Sequence, residues 1–181
     1  MTTHSPYILS QINNYIFAKS QNEEIVENKI YIDCNVVKQF KKGNIISISE
    51  NNRNYIAYIK NNSIVYRLSI DPNNIKQKIG IILEGKKCDY GMFAVDSKIL
   101  YLIELKGCNV DDAFEQLYIT YKWFIKNTKS ESISKFRFRV VASKVRSVPA
   151  LNKNRNMLVK NGINKNAIVV KENELEEPDK I

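Results

Sequence analysis

At 181 residues the chain has the length of one domain, with enough material to bury a core. Its composition, 44% hydrophobic and 10% aromatic, is that of a folded protein, and no apolar run reaches the roughly 20 residues of a membrane-spanning helix. The net charge is +9, the one histidine is His4, and Cys34, Cys88 and Cys108 lack CxxC spacing, which excludes His-based nucleophilic triads, ordinary zinc sites and a disulfide scaffold.

The first residues, MTTHSPYILSQINNYIF, carry no basic start followed by an apolar stretch and a small-residue cleavage site, so the expected location is the cytoplasm. Ile8, Ile12, Tyr15 and Ile16 recur at helical spacing and predict a helix over 5–19. Residues 30–70 read as β-rich. NYIAYIKNNSIVYRLSI alternates around Asn61-Asn62, which predicts a hairpin with a two-residue turn there. IGIIL (79–83) reads as a short buried strand, and CDYGMFAV and KILYLIEL read as two more, joined near Asp96-Ser97. Asn109, with Asp112 three residues on, predicts a capped helix over about 110–127, amphipathic through Ala113, Leu117, Tyr121 and Phe124. FRFRVVAS (136–143) is a further strand, Pro149 suits the first turn of a helix ending near Gly162, and AIVV (167–170) is a last strand. The order from 79 onward is β-β-β-α-β-α-β, which defines an α/β layer architecture with a mixed sheet flanked by helices. One domain is expected over 1–181, divided into a helix and β-rich extension (1–75), a core (76–171) and an acidic tail (172–181).

Charge is unevenly placed. From Lys122 to Lys165 there are twelve Lys or Arg and one acid, Glu131, whereas the tail KENELEEPDKI is acidic. So basic a segment is what a polyanion-binding surface looks like. With 22 lysines against six arginines and many Asn and Ile, the same bias also fits an AT-rich coding sequence. Arg137 and Arg139 on the strand, followed by Lys144 and Arg146, make a rim that could face phosphates or simply face water.

The stretch CDYGMFAVDSKILYLIELKG (88–107) sets three ionisable groups into core-like sequence. Glu104 and Lys106 are two apart on a strand and share a face. If Asp96-Ser97 is a two-residue loop and Val95 faces Lys98, Asp89 falls directly opposite Glu104, with Cβ atoms about 5 Å apart. A three-residue loop would break that register. Two carboxylates so close repel each other and lose hydration in an apolar sheet. A bound Mg²⁺, holding oxygens at about 2.1 Å, would relieve both costs. The plainer alternatives are an exposed Glu104–Lys106 ion pair at a strand end, and an Asp89 that merely starts a strand after the EGKK turn.

An Asp at one strand, Glu-x-Lys on the next and a helix after it resemble the PD-(D/E)XK nuclease superfamily, the restriction-endonuclease-like fold. In that family the residue before the aspartate is usually Pro, where Cys88 stands here. The resemblance implies a metal-dependent endonuclease acting on DNA, the choice between DNA and RNA being open from sequence, and Mg²⁺ as cofactor, replaceable by Mn²⁺. It implies that Asp89, Glu104 and the carbonyl of Leu105 hold the metal and that Lys106 acts on the attacking water or the transition state. Gln116, in DDAFEQLYITY, is similar to a Gln that some branches place in the following helix; the Tyr that follows it by four residues there is Thr120 here. Many members add an early glutamate, for which Glu23, Glu24 and Glu27 are candidates; Glu84, just before Gly85, reads as a turn residue that could also reach a second metal. A homodimer or a partner subunit is expected where both strands are cut. The alternative is a non-catalytic nucleic-acid-binding or subunit module of the same fold, and a third reading is a protein-interaction domain whose charge is compositional.

Overall fold

The computed structural model describes residues 37–40, 45–60, 63–71, 85–128, 132–145, 148–177 and 181. The helix expected over 5–19, the strand expected over 79–83, and Glu23, Glu24, Glu27, Glu84 and Arg146 lie outside them.

Alternation builds the first hairpin. Strand β2 (Ile45–Glu50) buries Ile46 and Ile48, and β3 (Arg53–Tyr58) buries Arg53, Tyr55 and Ala57, every second residue in each case. They pair antiparallel from Ile45↔Tyr58 to Glu50↔Arg53 around Asn51-Asn52, whose φ angles of 47° and 62° make a type I′ turn. The hairpin expected across Asn61-Asn62 does not form. Its two flanking strands go to different sheets, β3 with β2 and β9 (Glu174–Glu176), and β4 (Val65–Ser69) between β1 (Val37–Phe40) and β5 (Tyr90–Ala94). Burial explains the parting. On β4, Val65, Tyr66, Leu68 and Ser69 are all buried, so it needs cover on both faces, whereas β3 alternates and needs cover on one.

The larger sheet has six strands in the order β1-β4-β5-β6-β7-β8, with β6 spanning Ile99–Lys106, β7 Lys135–Ala142 and β8 Ile168–Glu172. Pairing is antiparallel from β1 through β6 and parallel from β6 to β8. The β5–β6 ladder runs from Tyr90↔Ile103 to Ala94↔Ile99, and the Lys98 N–H closes the turn on the Val95 carbonyl at 3.1 Å. This is the register that a two-residue Asp96-Ser97 loop predicts, but the turn takes four residues, 95–98, with Lys98 at φ 51° and the Val95 N–H on the Ile64 carbonyl in place of a Val95–Lys98 strand pair. One further step places Asp89 opposite Glu104.

Helices α1 (Val110–Asn127) and α2 (Val148–Lys160) make the two parallel crossovers. Along α1, Val110, Ala113, Phe114, Leu117, Thr120 and Phe124 are buried, and Asp111 and Asp112 complement the helix dipole in its first turn. The expected capping box is absent; the Asn109 amide donates to Asp112 Oδ2 at 2.7 Å and caps no backbone N–H. Helix α2 ends on Gly162 at φ 83°, with Gly162 N–H on the Val159 carbonyl and Ile163 N–H on the Leu158 carbonyl, a Schellman ending.

Two apolar clusters lie on opposite faces of the large sheet. Leu100, Leu102, Phe138 and Val140 pack with Phe114, Leu117 and Phe124 of α1, while Met92, Ile103, Leu105 and Val141 pack with Ile46, Tyr55 and Ala57. The architecture is therefore mixed α/β in three layers: helices, six-stranded sheet, three-stranded sheet. Among the described residues the second face carries a sheet where a flanking helix was expected. Nor is 172–181 merely an acidic tail. Strand β9 pairs in parallel with β3 through Tyr55↔Leu175, and Leu175, Glu177 and Ile181 are buried. Among the described residues no helix is long and apolar enough to cross a membrane.

Candidate active site

Leu100 and Leu102 face the helices, so Glu104 and Lys106 on the same strand do too; Phe93 on β5 faces them as well, and two-residue alternation carries that face to Asp89. The three groups meet where β5 begins and β6 ends. Asp89 and Glu104 are 7% and 1% exposed. Each is held by the other's strand: the Asp89 N–H donates to Glu104 Oε2 at 3.1 Å, and the Leu105 N–H donates to Asp89 Oδ2 at 2.7 Å. Backbone N–H and C=O of one extended residue point to the same side, so the Leu105 carbonyl also lies toward Asp89.

Lys106 Nζ stands 3.7 Å from Glu104 Oε1 and donates to Gln116 Oε1 at 2.7 Å. Gln116 Nε2 donates in turn to the Lys87 carbonyl at 2.9 Å. One helical turn later, Thr120 Oγ1 accepts the Cys88 N–H at 2.9 Å and donates to the Gln116 carbonyl at 2.8 Å. Helix α1 thus grips the segment before Asp89 and the lysine after Glu104. On the other side the Asp89 carbonyl accepts the N–H groups of Ile70 and Asp71, which fixes the end of β4 to the site.

Electrostatics follow from this burial. Desolvation first, then the Asp89 carboxylate, hold the Glu104 carboxyl well above its ordinary range, against the lowering effect of Lys106 and the Asp89 N–H; Asp71 adds to the rise. Burial and then the Glu104 charge push the Cys88 thiol up, so it stays protonated and packs in the core. Three residues here had no role in the sequence reading. Asp71 contributes a third negative charge near Glu104, Lys87 is buried 3.9 Å from Asp71, and Thr120 is the clamp described above. The ID and GKK stretches that contain Asp71 and Lys87 carry no spacing signal; proximity comes from the pairing of β4 with β5.

The expected phosphate-facing residues separate. Arg139, expected on the phosphate-facing rim, is instead 3% exposed and bound to Glu177 by two hydrogen bonds of 2.6 Å, so its charge is already matched inside the fold. Arg137 pairs with Tyr101 and Arg139 with Ile103, which puts both on the small-sheet face, opposite Glu104 and Lys106. Arg137 Nη1 lies 3.4 Å from the Asn166 carbonyl and lines a cavity of about 710 Å³ away from the site. Lys144 is exposed and at the correct rim, because its neighbour Ser143 donates its N–H toward the Lys106 and Gly107 carbonyls.

Among the described residues no three or more His, Cys, Asp or Glu side chains are assembled to hold a metal. The Asp89–Glu104 pair still fits a hard cation by its chemistry: two carboxylates of adjacent strands, a main-chain carbonyl beside them, and a buried Glu104 charge balanced at 3.7 Å by one lysine. Comparison of the chain with family models, with curated proteins and with solved structures finds no match.

Proposed function

We propose that this chain is a metal-dependent phosphodiester hydrolase of the PD-(D/E)XK type acting on DNA. The observation that carries the reading is the coupling of Asp89 to Glu104 across the β5–β6 hairpin, with Lys106 on the same face. Asp89, Glu104 and the Leu105 carbonyl would hold the ion. Bound there, Mg²⁺ or Mn²⁺ would supply charge neutralisation at a phosphate and a water of lowered pKa. Lys106, kept in place by Gln116, presents an ammonium where negative charge grows on phosphoryl oxygens, and it can orient the water that attacks. Lys144 adds a charge at the rim for flanking phosphates. Nicking of supercoiled plasmid with Mg²⁺ and with EDTA, for the unaltered chain and for Glu104→Ala and Lys106→Ala, tests this; activity that persists in both variants overturns it.

A second reading is a nucleic-acid-binding or subunit module without catalysis. Its support is that, among the described residues, the site brings two carboxylates together and assembles no group of three. Salt-sensitive DNA binding with no Mg²⁺-dependent nicking is its signature.

A further inference from the structure

Arg53 opens β3 on the row that faces the large sheet, with Tyr55 and Ala57, and is 6% exposed. Its Nε donates to the Glu50 carbonyl at 3.0 Å. Its Nη1 lies 3.9 Å from where a Cβ on Gly107 would stand. Gly107 directly follows Lys106, so the guanidinium lies at the end of β6 one residue past Lys106, on the small-sheet side of the large sheet. Among the described residues no carboxylate stands within ion-pair distance of Arg53, and no acceptor meets Nη1 or Nη2. Glu50, the cross-strand partner of Arg53, accepts at Oε1 from the Asn51 amide at 3.5 Å. Its Oε2 is buried and has no hydrogen-bond partner among the described residues.

A guanidinium cannot shed its proton, and a desolvated cation without a counter-charge is costly. Its two outer nitrogens form a fork that matches the oxygens of a phosphate. Gly107 puts no side chain in front of that fork. Lys144, two residues past the end of β7, stands at the same rim because Ser143 is bonded to the carbonyls of Lys106 and Gly107.

We propose that Arg53 holds a backbone phosphate of the nucleic-acid strand where it passes Gly107, beside the phosphate that meets Lys106. This rests on the reading of the site as one that acts on nucleic acid. The arginine comes from the smaller sheet, so the two sheets together would frame the strand.

The test is fluorescence anisotropy of a labelled DNA duplex in EDTA across a salt series, for the full chain and for Arg53→Gln, Arg53→Lys and Gly107→Leu. Arg53→Gln is expected to weaken binding about tenfold and to flatten the plot of log affinity against log salt by about one unit, with Tm unchanged or raised. Arg53→Lys, which keeps the charge and loses the fork, should recover part of the affinity, and Gly107→Leu should weaken binding with Arg53 intact. Should Arg53→Gln fail to fold, the other two variants decide. Unaltered affinity and slope in Arg53→Gln, or in those two, overturn the proposal. A fall in Tm for Arg53→Gln that vanishes in a Glu50→Gln background also overturns it, since it marks an internal ion pair. Plasmid nicking in parallel separates the two readings. Binding that depends on Arg53 without nicking removes the hydrolase reading and leaves this contact. Nicking with binding indifferent to Arg53 removes this contact alone, and a chain that binds no DNA loses both.

Discussion

Arg139 and Glu177, from β7 and the segment after β9, meet through two parallel hydrogen bonds of 2.6 Å, Nε to Oε2 and Nη2 to Oε1, and both side chains are buried. Tyr55 donates its hydroxyl to the same Glu177 Oε2 at 3.1 Å, and Arg139 Nη1 reaches the carbonyls of Phe138 and Ala167. The acidic end of the chain is thereby pinned between the sheets. Removing one partner strands a buried charge, so Glu177→Ala is expected to cost about 3–5 kcal/mol in denaturant unfolding. Arg139→Met combined with Glu177→Leu is expected to cost less than either single change. A double variant as unstable as the sum of the singles would contradict this account.

Glu104 sets a pH dependence. Its folded carboxyl is raised above the unfolded value, first by burial and then by Asp89. A raised group contributes stability that is full below the unfolded pKa and lost as pH rises through the folded one. In EDTA, Glu104→Gln should therefore gain over the unaltered chain at pH 8 and lose that gain at pH 4. A gain of about 1 kcal/mol corresponds to roughly 2–4 °C in Tm for a chain of this size. Equal differences at both pH values would show that the Glu104 charge is not penalised by the fold.

Thr120 is expected to act on the site from a distance. Thr120→Val keeps the shape but leaves the buried Cys88 N–H without its acceptor, at a cost of about 1–3 kcal/mol. Because Cys88 precedes Asp89, nicking should fall further than stability alone explains. Thr120→Ser, which keeps the hydroxyl, should restore both. Circular-dichroism melts and nicking rates on the same preparations check this.

The β2–β3 turn needs left-handed backbone at both Asn51 and Asn52. Asn tolerates it; a β-branched residue does not. Asn52→Val is expected to destabilise by about 1–2 kcal/mol, and Asn52→Gly to leave stability the same or better. Thermal melts of the two variants decide it.

Period-two alternation and an even-numbered turn placed Asp89, Glu104 and Lys106 together from the amino-acid sequence alone: the four-residue turn over 95–98 keeps the register that a two-residue loop predicts. The helix carrying Gln116 was equally legible, since its apolar stripe follows local geometry. What the tertiary structure decided were matters of partner choice. Alternation says that β3 has one apolar face but not which sheet will cover it, so the hairpin expected at Asn61-Asn62 gave way to one at Asn51-Asn52. An arginine on an alternating strand reads the same whether it meets phosphate or carboxylate; Glu177 arrives from 38 residues away and settles Arg139. Asp71 and Lys87 come to the site through strand pairing, and Arg53 comes to Gly107 through the stacking of the two sheets, which are contacts between distant segments that no local pattern encodes.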